Sequence, residues 1–195
     1  MDKINRCSWC GDDPLYVDYH DKEWGTPVYD DATLFEFLIL ETFQAGLSWI
    51  TVLRKRENFR RAFDNFDYQK IAQYSEAKIQ ELLLDAGIIR NKLKVRATVS
   101  NAQAFIKVQE EFGSFSKYIW GFTGGKPIVN SFEKLSEVPA NTPLSDKISK
   151  DLKKRGFKFV GTTVVYAHMQ ATGMVNDHIT SCFRYKELLE LSPDL

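Results

Sequence analysis

Hydrophobic and polar positions along the chain read mostly as helices with explicit start and stop signals. Asp30 and Asp31 precede an apolar segment that ends near Ala45, with Gly46 placed to terminate it. Ser48 is positioned to cap a helix over "WITVLRKRENFRRAF", and Ser75 another over "EAKIQELLLDA". In the latter, Ile79, Leu82, Leu83 and Ala86 form one stripe, and Gly87 ends it. A further helix starts within a few residues and runs to about Ile106. Thr142 and Pro143 open "LSDKISKDLKKR", and Gly156 closes it. Only "FKFVGTTVVYA" (157–167) is rich enough in β-branched residues to suggest a strand, and it reads equally as a buried helix. With no repeats, low-complexity tracts or linkers, the pattern predicts an all-α fold in a single unit over residues 1–195.

One segment breaks the amphipathic rule. In "FLILETFQAGLSW" (37–49) apolar residues fall on every side of the helix, and Glu41 sits among them. An unpaired buried carboxylate is costly by several kcal/mol, on the order of the penalty that shifts its pKa instead. Glu41 is therefore either paired with a buried arginine or kept for chemistry.

Composition narrows the class. The 195 residues are 44% hydrophobic, which suits a folded core, and the longest apolar run is too short to cross a bilayer. "MDKINRCSWC" lacks the apolar core of a signal peptide, so a cytoplasmic location is expected. There Cys7, Cys10 and Cys182 are expected as ligands or free thiols, not disulfides. Net charge is zero, yet residues 1–50 carry −7 and residues 51–195 carry +7. "RNKLKVR" (90–96) has four basic residues and no acid; "KISKDLKKRGFK" (147–158) has six and one. Such patches match a phosphate backbone, although solvated helix faces have the same composition.

Two constellations carry chemistry. The helix–turn–helix over about 76–106, "ELLLDAGIIRNKLKVRATVSNA", directs the free N–H groups of its second helix outward, beside Arg90, Lys92 and Lys94. This arrangement suits a phosphate. At the termini, Cys7 and His20 lie near the start, and His178 and Cys182 fall at i and i+4 in "NDHITSC". Two thiolates and two imidazoles make a closed, structural tetrahedral zinc site. Cys7, Cys10, His178 and Cys182 satisfy the same chemistry, and spacing does not choose between the sets. Neither H-E-x-x-H nor H-x-E with P-C-x-x-C occurs, which argues against a zinc protease or deaminase.

"DPLYVDYHDKEWG", "QAGLSWITVLRKRENF", "DAGIIRNKLK", "LKKRGFKFVGTT" and "GMVNDH", in this order across almost the whole chain, resemble the DNA-3-methyladenine glycosylase I family of the helix-hairpin-helix superfamily. The resemblance implies a helix-hairpin-helix glycosylase fold, with one structural zinc ion joining the terminal segments, about 5–24 and 174–184. It places the ligands at Cys7, His20, His178 and Cys182, leaving Cys10 as a departure from the family pattern. It also implies Glu41 as the catalytic carboxylate, with Trp9, Tyr16, Tyr19 and Trp49 around the base. Gly46 and Leu47 would fill the gap left by an extruded nucleotide, and Arg90, Lys92 and Lys94 would hold phosphates.

A base alkylated on a ring nitrogen is cationic. An aromatic face attracts it by roughly 0.5–2 kcal/mol, and a buried carboxylate supplies the opposite charge. Such a base leaves without prior protonation, and no lysine nucleophile stands in register after the hairpin. The expected activity is monofunctional hydrolysis of the N-glycosidic bond of 3-methyladenine, in the bacterial cytoplasm and on the nucleoid when acting. The expected partners are alkylated double-stranded DNA and free 3-methyladenine, with the chain a monomer and no organic cofactor. The rivals are a non-catalytic helix-hairpin-helix DNA-binding module and an interaction domain built on Trp9, Tyr16, Tyr19 and Trp24.

Overall fold

The computed structural model describes residues 4–190. Among them the helices are α1 (Pro14–Lys22), α2 (Asp31–Gln44), α3 (Trp49–Leu53), α4 (Arg56–Ala62), α5 (Tyr68–Ile71), α6 (Glu76–Leu84), α7 (Lys92–Phe112), α8 (Phe115–Trp120), α9 (Pro143–Lys154), α10 (Thr162–Ala171) and α11 (Phe183–Glu190). Two short strands, β1 (Ile128–Val129) and β2 (Val175–Asn176), pair in parallel. The chain is thus mostly helical, as the periodicity predicts, and the strand pair is an addition no sequence pattern announced. No described helix is long and apolar enough to cross a membrane.

The all-round apolar helix is the axis of the fold. From Leu34 to Phe43 only Glu36 escapes full burial, and α3, α7, α8 and α10 pack around α2. Its start is doubly determined. Asp30 accepts from the Thr33 amide at 2.8 Å, and Asp31 accepts from the amides of Phe115 and Ser116, satisfying the N-terminus of α8 as well. His168 of α10 bonds the Leu34 carbonyl at 3.1 Å, and burial pushes its pKa down to about 4, so it is a neutral core residue.

Three expected boundaries differ. The helix beginning after Ser48 breaks at Arg54–Lys55 into α3 and α4, and the Ser48 hydroxyl bonds Thr51 Oγ1 in place of a backbone amide. Beside that break, Lys55 Nζ reaches the carbonyls of Ala86 and Gly87 at 3.3 and 3.1 Å and steadies the turn between α6 and α7. Ile88 is buried beneath the same turn. Second, α7 continues past Ile106 to Phe112, because Phe105 and Val108 keep burying its inner face. Third, of the ambiguous stretch 157–167, residues 162–167 belong to α10.

Candidate active site

A cavity of about 200 Å³ opens where α1, α2, α3 and α10 converge. Glu41 and Gln44 of α2, Trp49 of α3, and Tyr16 and Tyr19 of α1 line it, together with Trp9 and Trp24. The aromatic walls are in mutual contact: Trp9 and Tyr16 centroids lie 5.0 Å apart, and Tyr19 and Trp49 lie 5.4 Å apart. The residues expected around a base are therefore gathered on one cavity.

Glu41 is 3% exposed, and its Oε2 has no hydrogen-bond partner among the described residues. The competing explanation, a buried arginine pair, fails. Arg56, the buried arginine beside α2, gives its donors to Glu36 at 2.5 Å and Glu23 at 2.7 Å, and stacks over Phe37. Burial alone pushes the Glu41 carboxyl up to about 8. The Trp49 indole Nε1 on the same cavity is also buried and unpartnered. Leaving one such group unmatched costs about 1–3 kcal/mol, so two on one wall mark a place where a ligand supplies the partners.

Sequence reading missed the opposite wall. Gln170 of α10 and Asp177, just after β2, also line the cavity. Asp177 is 2% exposed and accepts from Asn130 Nδ2 at 2.6 Å, the Tyr166 hydroxyl at 2.6 Å and Gln170 Nε2 at 2.8 Å. Pairing of β1 with β2 brings Asn130 to Asp177, a contact between distant segments that no local pattern signals. The only available hint was "NDH", a carboxylate beside an expected metal ligand. Leu135 and Val138, from the loop before α9, complete the rim and carried no signal.

On the loop between Gln44 and Trp49, which both line the cavity, Gly46 has φ +84°, which the absence of a side chain permits, and Leu47 is 41% exposed. An exposed leucine on a tight loop beside a pocket has the shape of a wedge. On the α6–α7 turn, Arg90 and Lys92 are exposed and form no ion pair among the described residues.

Two expectations for this turn need correction. Lys94 is 6% exposed, and its Nζ donates to the carbonyls of Phe43 at 3.0 Å and Ala45 at 2.7 Å, so it is turned inward and does not face a phosphate. The first-turn amides of α7 are also partly used: Asn91 Oδ1 accepts from Leu93 and Lys94, both at 3.1 Å. Their attraction to an anion is shared with this cap. The second basic stretch, 147–158, is partly neutralised, since Arg155 pairs with Glu111 and Asp151.

The terminal Cys/His group assembles. One ligand atom from each of Cys7, His20, His178 and Cys182 lies within 4.8 Å of all the others, and all four residues are buried. His20 Nδ1 bonds Asp21 at 2.7 Å and leaves Nε2 facing the sulfurs; His178 Nε2 bonds the Trp24 carbonyl at 3.0 Å and leaves Nδ1. Each imidazole is thus oriented by an outer partner, the usual arrangement around a metal. The hydrogen bond between the two sulfurs holds Cys182 down and Cys7 up, because two adjacent buried thiolates cannot both ionise without a cation. These residues fit a divalent metal ion. The Cys10 thiol turns away to the Cys7 carbonyl at 3.1 Å, outside the group. Gly25 backs the site: a Cβ there would stand 3.0 Å from the His178 ring.

Comparison with known proteins agrees with this geometry. A family model described as methyladenine glycosylase matches residues 9–185. The DNA-3-methyladenine glycosylase 1 of Escherichia coli (strain K12) is 50% identical over 182 residues, covering 93% of this chain and 97% of that protein. The DNA-3-methyladenine glycosylase of Haemophilus influenzae is 49% identical, covering 91% and 96%. Among solved structures, a variant of 3-methyladenine DNA glycosylase I in complex with 3-methyladenine superposes with a TM-score of 0.90 at 37% identity, covering 92% of this chain and 97% of the other. On the extent of these matches, the chain belongs to the methyladenine glycosylase family.

Proposed function

We propose that this protein is a monofunctional DNA glycosylase that hydrolyses the N-glycosidic bond of 3-methyladenine in alkylated double-stranded DNA, the first step of base excision repair. The observation that carries the reading is Glu41: a buried carboxyl without a cationic partner, on a cavity walled by Trp49, Tyr19, Tyr16 and Trp9. A relative in the same family is described as a structure in complex with 3-methyladenine, which agrees with a base-sized ligand.

In this reading the target nucleotide leaves the duplex and its base enters the cavity. A base methylated on a ring nitrogen arrives with a fixed positive charge. Aromatic faces attract that charge, and it favours the ionised form of Glu41, which accepts from the exocyclic amine. Neutral purines bring neither the charge nor an activated leaving group. As the bond to the sugar breaks, its electron pair leaves with the base as neutral 3-methyladenine and positive charge moves to the deoxyribose, which a carboxylate in a low-dielectric site favours. Water then adds to the sugar and loses one proton to solvent. No lysine nucleophile is assigned, so the product is an uncut abasic strand and a free base that still fits the cavity. A DNA-binding module without catalysis would leave both Glu41 and the orphaned Trp49 indole without a purpose.

Gly46 and Leu47 fill the space vacated in the duplex, and Arg90 and Lys92 hold phosphates beside it. The metal at Cys7, His20, His178 and Cys182 is assigned as structural zinc; with all four positions filled by protein, it would neutralise the thiolates and tie the termini together. The enzyme is taken to act as a monomer in the cytoplasm.

The test is mass spectrometry of bases released from methylated duplex DNA by the purified protein. Release of 3-methyladenine with undamaged bases retained is expected. No release of any methylated base would overturn the assignment, and a borohydride-trapped protein–DNA adduct would overturn its monofunctional part.

A further inference from the structure

Helix α2 is closed from two sides. Its last turn holds no basic residue, and beyond it the Leu47 amide donates to the Gln44 carbonyl at 2.6 Å. The neighbouring carbonyls of Phe43 and Ala45 accept from Lys94 Nζ, at 3.0 and 2.7 Å. Lys94 belongs to the first turn of α7, two residues after Lys92 on the outer side of the turn. A buried ammonium is costly, and here two carbonyls at the negative end of a helix offset that cost. The acceptors flank the positions on which excision depends in the reading above. Glu41 lies half a turn before Phe43, and Gly46 and Leu47 follow Ala45 directly.

We propose that Lys94 is a positioning residue that couples the DNA-holding turn to the wedge loop. Its ammonium fixes the end of α2, so that Leu47 projects at a set distance from the phosphates held by Arg90 and Lys92. The turn and the wedge then reach the duplex as one rigid unit, and force from closing on the backbone is delivered to the nucleotide being extruded. Lys94 itself touches neither DNA nor base. This proposal rests on the assigned roles of Leu47 and of the turn, and adds the strut between them.

A double-mutant cycle with Leu47→Ala tests it. Lys94→Met keeps the length and removes the donors; Lys94→Gln keeps a donor and serves if the methionine variant folds poorly. Single-turnover excision of 3-methyladenine from duplex DNA should fall at least tenfold in Lys94→Met. Affinity for free 3-methyladenine and the salt dependence of duplex binding should stay within twofold of the unmodified protein. Lys94→Gln should retain part of the rate. Combined with Leu47→Ala, the loss should be close to that of the more damaging single change, because both act through one element.

Four results would overturn the proposal: an unchanged excision rate, multiplicative losses in the double variant, a flattened salt dependence in Lys94→Met, or free-base affinity falling in step with excision. The third would make Lys94 a phosphate contact after all, and the fourth would make it a general support of the pocket. Excision by the unmodified protein is measured in the same series, so failure of the glycosylase assignment is distinguishable from failure of the strut.

Discussion

Arg56 binds Glu36 at 2.5 Å and leaves Glu41, further along the same helix, without a cation. Among the described residues, the one buried arginine close to α2 is thus committed to its outer face, and the carboxyl facing the cavity stays uncompensated.

That asymmetry predicts a pH signature. The folded state holds the Glu41 proton more tightly than the unfolded chain does, with a pKa of about 8 against an ordinary 4.5. Protons bound in excess by the folded state make its stability fall as pH rises through this window. The stability difference between the unmodified protein and Glu41→Gln should therefore move in favour of the glutamine variant from about pH 4.5 to about pH 8, and level off beyond. Chemical denaturation across that range checks it. The same variant should bind free 3-methyladenine more weakly and release it from DNA more slowly, with non-specific duplex affinity nearly unaltered. Equal binding and excision by the two proteins would remove Glu41 from the site.

Metal removal should loosen the termini before it affects chemistry. Cys7→Ser or His178→Ala breaks a buried set of ligands, a loss of about 3 kcal/mol or more, which lowers Tm by on the order of 10 °C for a chain of this size. Cys10→Ser should change Tm little, since its thiol points to the Cys7 carbonyl. Elemental analysis should find one zinc per chain in the unmodified protein and in Cys10→Ser. A Cys10→Ser protein that loses the metal would reverse the ligand assignment.

Duplex binding should weaken with salt, with a logarithmic slope of about −0.9 for each phosphate neutralised. Arg90→Ala with Lys92→Ala should flatten that slope by about two phosphates' worth, leaving free-base affinity intact. An unaltered slope would move the DNA to the exposed lysines of 147–158.

Asp177 accepts from Gln170 Nε2 at 2.8 Å, which fixes the orientation of that amide on the cavity both residues line. Asp177→Asn can donate as well as accept and frees the glutamine to turn over. Free 3-methyladenine affinity should fall several-fold in that variant, and titration calorimetry measures it. Unaltered affinity would reduce this wall to packing.

Several features of the protein were legible in the chain alone because they are local. Capping residues and helical periodicity marked α2, α6 and α9, and the all-round apolar character of α2 identified both the central helix and the anomaly at Glu41. The four metal-group residues were visible too, since Cys and His are scarce here, although choosing His20 over Cys10 required the family resemblance.

Tertiary structure decided what depends on contacts between distant segments. Lys94 is one basic residue among four in "RNKLKVR", and nothing in that run shows that it alone faces inward; the position of the α2 terminus against α7 does. The wall of Gln170 and Asp177 exists because a two-residue strand pair joins positions 47 residues apart, as Asn130 to Asp177. Periodicity reports which face of an element is buried, but not which group meets it there. For charged side chains that partner determines the role, and it left Glu41 facing the cavity while Arg56 was drawn to Glu36.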